Sequence, residues 1–290
     1  MTRLVRVAGL DYAGGMVRIA TVNVNGIRAA MRKGMSDWLE ASGADIVALQ
    51  EVRATDEIVT PLVPGWHVLH DEATAKGRAG VAVLSREPAI QHRTVFGADD
   101  FDSAGRWLEA DFDFGGTPVT VVSTYVHSGE VDTPKQVQKF MFLDTMDERL
   151  PQLREHSDHV LVTGDFNVGH REFDIKNWRG NRKKSGFLPE ERSYLDGFFG
   201  NGEVEAVDGR ARTGHGWVDV GRTFAGEVDG PYTWWSNRGQ AFDNDTGWRI
   251  DYHMASPALA ASVGNYRVDR YPSYDTRWSD HAPVVVDYEL

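Results

Sequence analysis

Apolar residues in this chain fall mostly into short runs dense in Val, Ile and aromatic side chains, not into long helical stripes. Such runs predict strands at Val17–Val24, Asp45–Gln50, Gly80–Leu84, Trp107–Phe114, Val119–Tyr125, His159–Phe166, Trp248–Ala255 and Pro283–Tyr288, several alternating apolar with polar. Helical spacing lies between some of them, over 27–41, 134–155 and 189–199. Pro134 suits a first helical turn. The third helix opens with Pro189-Glu190-Glu191, which places acids at the positive end of its dipole. Many strands and few helices predict an α/β (α+β) fold of two packed sheets with helices outside. No repeat, low-complexity tract or linker divides the chain, so 16–290 reads as one domain. Residues 1–15 carry Arg3, Arg6 and Asp11 without a continuous apolar segment; they read as a loose extension and a poor signal peptide, with Met16 a candidate start.

Composition narrows the chemistry. The 290 residues include no cysteine, which excludes disulfides, thiolate nucleophiles and zinc–thiolate sites and fits a reducing cytoplasm. No apolar run reaches the roughly 18 residues that a membrane helix needs. The net charge of −12 argues against nonspecific coating of nucleic acid. It leaves room for a local basic patch, because the potential at the site decides binding. The segment Gly169–Leu188 supplies one, with Lys176, Arg179, Arg182, Lys183 and Lys184 and no acidic residue between Ile175 and Pro189.

The candidate chemistry sits at strand ends. Separate predicted strands run into Asn23-Val24-Asn25-Gly26, Gln50-Glu51 and Gly164-Asp165-Phe166-Asn167; another contains Asp251, and Ser279-Asp280-His281 precedes the last. Rigid strands delivering polar groups to one rim is a common way to build an active site. Carboxylate and amide oxygens are hard ligands that suit magnesium, manganese or calcium, and Glu51 and Asp280 could supply the pair magnesium usually takes. One histidine beside an aspartate suits general-base work or phosphate stabilisation. Together these residues point to metal-assisted hydrolysis at phosphorus. Each fragment alone has a plainer explanation, such as an Asx-stabilised turn at Asp165 or a solvated strand end at Glu51.

The set is specific where its parts are not. Asn-Val-Asn-Gly-Ile-Arg at 23–28, Gln-Glu at 50–51, Gly-Asp-Phe-Asn at 164–167, Trp-Arg-Ile-Asp-Tyr at 248–252 and Ser-Asp-His-Ala-Pro at 279–283 occur in that order. This resembles the endonuclease/exonuclease/phosphatase superfamily, and its exonuclease III / abasic-site endonuclease branch, from about Met16 to Leu290. Ser123-Thr124-Tyr125-Val126, the stretch Asn177–Arg192, Tyr232-Thr233-Trp234-Trp235 and Trp248-Arg249-Ile250 favour that branch. The resemblance implies a four-layered, DNase I-like sandwich of two mainly antiparallel sheets flanked by helices. It implies a Mg2+-dependent (Mn2+ as substitute) DNA repair nuclease, cutting duplex DNA 5′ to abasic sites, removing nucleotides from 3′ ends, or both. Glu51 matches the principal metal ligand, with Asn25 and Asp280 beside it and Asn23 in the same region. Tyr125 matches a phosphate-contacting tyrosine. Asp165 and Asn167 match a pair that orients or deprotonates the attacking water and lies at the metal and phosphate. His281 matches the active-site histidine, and Asp251 its partner. Arg28, Asn181, Arg182, Lys183 and Lys184 match DNA-contacting positions, and Trp234, Trp248 and Ile250 an apolar pocket for the abasic sugar. Trp235 reads as a core residue. The resemblance also implies a cytoplasmic monomer that works on the nucleoid.

Two departures stand out. Asn25 replaces an aspartate of some relatives, and His127-Ser128-Gly129-Glu130 lacks an arginine that some insert into DNA. Both leave open the balance of exonuclease, abasic endonuclease and 3′-phosphatase activity. The choice of general base between Asp165 and His281 also stays open. Rival readings are another phosphoesterase on the same scaffold (inositol-phosphate phosphatase, sphingomyelinase or general DNase) and a DNA-binding module whose catalytic site has decayed.

Overall fold

The computed structural model describes residues 15–75, 77–97, 101–102 and 104–290. The expected loose extension therefore lies outside the described residues except for Gly15. Along the chain the strands are β1 (Met16–Asn23), β2 (Ile46–Gln50), β3 (His67–Asp71), β4 (Val81–Ser85), β5 (Gln91–Arg93), β6 (Trp107–Phe114), β7 (Thr117–Tyr125), β8 (Val160–Asp165), β9 (Asn201–Glu205), β10 (Ala211–His215), β11 (Val218–Asp219), β12 (Asp251–Ala255), β13 (Val263–Val268) and β14 (Val284–Glu289). The helices are α1 (Ile27–Ala30), α2 (Ser36–Ala41), α3 (Asp56–Leu62), α4 (Pro134–His156), α5 (Trp178–Asn181), α6 (Pro189–Phe199), α7 (Val220–Ala225) and α8 (Pro257–Ala260).

One six-stranded sheet has the order β13-β14-β1-β2-β4-β3, the other β11-β12-β8-β7-β6-β5. Among the described residues only β1/β2 and β7/β8 pair in parallel, one pair in each sheet. The inner faces meet in a core that joins Val17, Ile19, Val83, Val286 and Tyr288 to Leu108, Phe112, Val121, Leu161 and Ala255. Outer faces are covered by helices: Ile27, Leu39 and Val59 pack with Leu49 and Leu84 on one side. Phe142, Leu150, Leu195 and Phe198 pack with Val162 and Met254 on the other. The result is the expected four-layered sandwich. Central strands such as β2 (IVALQ) and β4 (VAVLS) are buried at every position, which explains their unbroken apolar character.

Register puts the strand ends together. Asn23 pairs with Gln50 at the ends of parallel β1 and β2, and Tyr125 pairs with Asp165 at the ends of parallel β7 and β8. Antiparallel β12 begins with Asp251 opposite Asp165, and β14 begins with Val284 opposite Thr21. Each polar terminus therefore reaches the same rim. Gly164 enables this approach: a Cβ there would sit 2.0 Å from the Thr124 carbonyl oxygen, and its φ is +141°. Between the sheets Gln50 Nε2 donates to Thr21 Oγ1 (3.0 Å) and Ser123 Oγ (3.1 Å), fixing β2 against β7 just below the rim.

Two expected boundaries shift. The helix expected over 27–41 is interrupted at 31–35, where Gly34 takes φ +110°, a left-handed value that breaks the α-helical path. Trp248–Ile250 do not belong to β12; Trp248 instead forms isolated bridges with Ile175 and Trp234, bending the chain across the rim. The segment 201–215, where no strand was predicted, forms a two-stranded hairpin outside both sheets.

Candidate active site

Left-handed backbone marks the rim before any side chain is considered. Asn25 (φ 46°), Glu51 (φ 50°), Arg53 (φ 52°) and Asn167 (φ 52°) all occupy the region usually left to glycine. Asparagine tolerates it; glutamate and arginine hold it only where the surroundings enforce it, and such positions concentrate at functional sites. Gly26 N and Ile27 N donate to the carbonyls of Glu51 (2.8 Å) and Val52 (3.1 Å), fixing the two strand exits against each other.

A cavity of about 440 Å³ opens there, lined by Glu51, Tyr125, Asp165, Asn167, Asp280 and His281 on one side and Trp234, Trp248 and Ile250 on the other, with Arg53, Ser128, Gly129, Ser185 and Gly186 at its edges. Asn23 lies below it, fully buried. Its Nδ2 donates to Glu51 Oε1 (2.9 Å) and Asp165 Oδ2 (2.9 Å), and its Oδ1 accepts from Asn25 N (2.9 Å). Asn23 thus ties the two carboxylates together and is not among the lining residues. Asn25 Nδ2 donates to Asp280 Oδ1 (2.9 Å), and Trp234 Nε1 donates to Asp280 Oδ2 (3.1 Å). Asp165 Oδ1 accepts from Asn167 N (2.9 Å), and Asn167 Nδ2 donates to Val126 O (2.9 Å) and Asp165 Oδ2 (3.2 Å).

His281 Nδ1 lies 2.9 Å from Asp251 Oδ2, and His281 Nε2 lies 3.8 Å from Asp165 Oδ2. Thr233 Oγ1 donates to Asp251 Oδ2 (2.5 Å) and accepts from Ile250 N and Asp251 N (3.2 Å each), locking that carboxylate toward the ring. Burial disfavours the His281 imidazolium, yet the carboxylates of Asp251 and Asp165 outweigh it and raise its pKa. Burial also pushes the Asp165 carboxyl upward against the opposing charge of His281. Burial would raise Asp280 as well, but His281 and the hydrogen bonds from Asn25 and Trp234 hold it below the ordinary range. The Tyr125 phenol is pushed well up by burial and by Glu51 and Asp165, so it stays a hydrogen-bond donor at neutral pH.

Oxygen atoms of Asp165, Asp251 and a nitrogen of His281 all fall within 4.8 Å of one another. Within this trio His281 Nδ1 is already engaged by Asp251. Hard oxygen donors of the kind magnesium takes are present on Glu51, Asp280 and Asn25, whose Nδ2 donates to Asp280 Oδ1. Four carboxylates around one cleft, countered by His281 and Arg53, fit a divalent cation.

Trp234, Trp248 and Ile250 come together as lining of this cavity. Trp234 and Trp248 meet edge to face (centroids 5.8 Å, 87°) and exchange both backbone hydrogen bonds (2.9 Å). Gly186 packs against Trp248, where a Cβ would lie 2.7 Å from the ring. Trp235 is core, 1% exposed. Arg249, between Trp248 and Ile250, is buried and pairs with Asp174 (2.7 Å) and Asp219 (2.7 Å), anchoring the wall from behind.

Arg28 lies in an adjoining cavity of about 480 Å³ lined by Gly26, Arg28, Ala29, Arg32, Arg53 and Gly77. Among the described residues none that lines it is acidic, and Arg53 borders both cavities. In the basic segment Arg182, Lys183 and Lys184 are exposed, whereas half-buried Asn181 spends its amide on Asn177 O (2.9 Å).

Sequence reasoning missed several members. Arg53 pairs with Glu51; its only signal was proximity to Gln50-Glu51. Thr233 lay inside the quoted Tyr-Thr-Trp-Trp segment but gave no hint that it holds Asp251. Arg106 stacks over the Tyr125 ring (4.5 Å to the centroid) and donates to its carbonyl (3.0 Å), a contact no local pattern announces.

Comparison with known proteins follows the same lines. The model of the Endonuclease/Exonuclease/phosphatase family matches residues 20–281. An exodeoxyribonuclease of Bacillus subtilis is 31% identical over 92% of this chain and 98% of its own length. A DNA-(apurinic or apyrimidinic site) endonuclease of Dictyostelium discoideum is 26% identical over 94% of this chain and 71% of its own. The structure of a 3′ phosphatase from Neisseria bound to a product DNA hairpin superposes with a TM-score of 0.78 at 25% identity, covering 94% of this chain and all of that one.

Proposed function

Since the chain belongs to the endonuclease/exonuclease/phosphatase family, we propose that its rim cavity hydrolyses phosphodiesters in duplex DNA at abasic sites and 3′ ends. It is a DNA repair nuclease of the exonuclease III type. The observation that carries this reading is the meeting, in one cavity, of Asp165, His281 and the Glu51/Asp280 carboxylates with a wall of Trp234, Trp248 and Ile250.

Asp165, oriented by Asn167 and Asn23, takes the proton of the attacking water. Its raised carboxyl pKa suits that task near neutral pH. His281, charged and aimed by Asp251, neutralises a non-bridging phosphate oxygen as negative charge builds. Tyr125 donates its phenolic proton in a hydrogen bond to the same group. Glu51, Asp280 and Asn25 would hold Mg2+, with Mn2+ as a substitute, which when bound supplies Lewis-acid neutralisation at the phosphate. The Trp234/Trp248/Ile250 wall accepts an extruded sugar that lacks its base, and extrusion costs least where pairing is already lost. The arginine-lined cavity at Arg28, Arg32 and Arg53 and the exposed loop at Arg182, Lys183 and Lys184 flank the cleft, so the duplex backbone lies across both. Among the described residues no helix is long and apolar enough to cross a membrane. The same reading has the protein work in the cytoplasm, on the nucleoid and as a monomer, and its similarity to a bacterial exodeoxyribonuclease supports the first of these.

A substrate panel tests the assignment: a duplex with one abasic-site analogue, an intact blunt duplex, a 3′-phosphorylated duplex, inositol phosphates and sphingomyelin. Cleavage of the three DNA substrates alone is the expected result; preferential turnover of inositol phosphate or sphingomyelin would overturn it. Ile250→Ala should cut abasic cleavage far more than 3′-phosphate removal, because only the former needs the extruded sugar.

A further inference from the structure

Lys139 of α4 is fully buried, as is Glu191 of α6, and their side chains meet at 2.8 Å beneath the cavity floor. Taking two charges out of water is costly, and a well-packed apolar pair of similar size often serves stability as well or better. The pair therefore calls for a reason beyond holding two helices together.

Its remaining contacts supply one. Lys139 Nζ donates to the backbone carbonyl of Asn167 (2.9 Å) and approaches Ser128 O (3.4 Å) and Ser185 Oγ (3.5 Å). Glu191 Oε2 accepts from Gly186 N (2.6 Å) and Leu188 N (3.0 Å). Its Oε1 accepts from Ser185 Oγ (2.9 Å) and Gln136 Nε2 (2.8 Å). Three loops far apart in sequence converge here: the one after β7, carrying Ser128 and Gly129; the one after β8, carrying Asn167; and the end of the basic segment, carrying Ser185 and Gly186. Each gives the cavity part of its lining. The packing leaves no slack, since a Cβ on Gly129 would lie 2.4 Å from Ser185 Oγ and 2.9 Å from Lys139 Cδ.

We propose that Lys139, with Glu191 as its counter-charge, is a positioning residue for the nuclease reaction: its ammonium fixes the left-handed Asn167 and registers that loop against the loop bearing Gly186. An ammonium offers three donors and no acceptor, so it can hold a carboxylate and a backbone carbonyl at once. Asn167 contacts Asp165 through both its backbone and side-chain nitrogens, so a shift of its peptide moves the base. Gly186 abuts Trp248, so the same movement loosens the sugar pocket. The inference rests on the nuclease assignment for its catalytic consequence, and on the loop contacts alone for its structural one.

The test uses the whole protein as wild type, K139M, E191Q and the double variant K139M/E191Q. Three quantities are read: melting temperature, amide hydrogen exchange at 126–129, 166–169 and 185–188, and single-turnover cleavage of a duplex with one abasic-site analogue. K139M strands a buried carboxylate and should melt lower; the double variant removes that stranded charge and should regain much of the loss. If Lys139 positions the loops, the double variant exchanges faster in all three loops than E191Q alone, whose amide nitrogen no longer accepts as the carboxylate oxygen did. It also cleaves between about 10- and 100-fold more slowly, the scale of a small misplacement of reacting groups. Recovery of rate and loop protection together with melting temperature would reduce the pair to a fold-stabilising contact and overturn the proposal. Should K139M fail to fold, the double variant makes the same comparison. Should the wild type not cut the duplex, the nuclease assignment falls, and the exchange measurement alone decides whether Lys139 registers the loops.

Discussion

Asp251 shows how much of the site depends on single atoms. Its two oxygens face His281 Nδ1 at 2.9 and 3.1 Å, and Thr233 fixes one of them from the other side. Asp251→Asn keeps the shape but removes the charge that favours imidazolium. His281→Ala and Asp165→Asn each remove a proton-handling group, and purified protein should lose about 100- to 10,000-fold in turnover with its fold intact. Near-normal turnover in either would contradict its role. The raised pKa of His281, to about 10, also makes a stability statement. A histidine whose folded pKa exceeds the unfolded value of about 6.5 stabilises fully below that value, and the benefit is lost as pH rises through the folded pKa. Between those limits wild type should lose stability with rising pH more steeply than Asp251→Asn, as checked by urea midpoints from pH 6 to about 10; parallel curves would count against the dyad. At this scale the sequence disclosed residue types but not contacts. Asp165, Asp280 and His281 were legible because short motifs surround them. Thr233, Arg53 and Lys139 were not, because each acts on a partner only through the folded geometry, and a threonine or lysine in isolation has many ordinary uses.

Elements were legible in proportion to burial. The central strands β1, β2, β4, β7, β8, β12 and β14 show in the sequence because neighbours cover them and demand apolar runs. The edges of the two sheets, β3, β13, β5 and β11, escaped, as did the β9/β10 hairpin. Most of these strands keep exposed positions, as in β13 (VGNYRV) and β5 (QHR), so their polar residues blur the pattern, and β11 spans only two residues. The basic segment belongs to this scale too. Lys176 is engaged by Asp229 (2.8 Å), and Arg179 and Arg182 lie over the Trp178 ring (4.4 and 5.8 Å). Replacing Arg182, Lys183 and Lys184 by glutamine should weaken duplex binding. If all three meet phosphates, it should also shrink the log–log salt slope by roughly 0.9 per contact. Fluorescence titrations across salt concentrations check this, and an unchanged slope would remove the segment from the DNA path.

Across the whole molecule, two mixed sheets each place one parallel pair at the centre, and the ends of those pairs define the rim where every catalytic candidate lies. A chain of net charge −12 reconciles that acidity with a DNA substrate by segregation: carboxylates line the cavity, whereas Arg28 and Arg32 line a neighbouring one with no acidic residue among its described lining, and Lys183 and Lys184 are exposed. The central claim is that this floor holds a divalent cation against a DNA phosphate while Asp165 activates water. The most direct measurement is single-turnover cleavage of a duplex with one abasic-site analogue. It compares wild type in EDTA, wild type with Mg2+ restored, and Glu51→Ala and Asp165→Asn with Mg2+ present, with duplex binding measured in parallel. The account predicts cleavage only in the restored wild type, with Asp165→Asn still binding the duplex. Cleavage that persists in EDTA, or undiminished cleavage by Glu51→Ala, would contradict it.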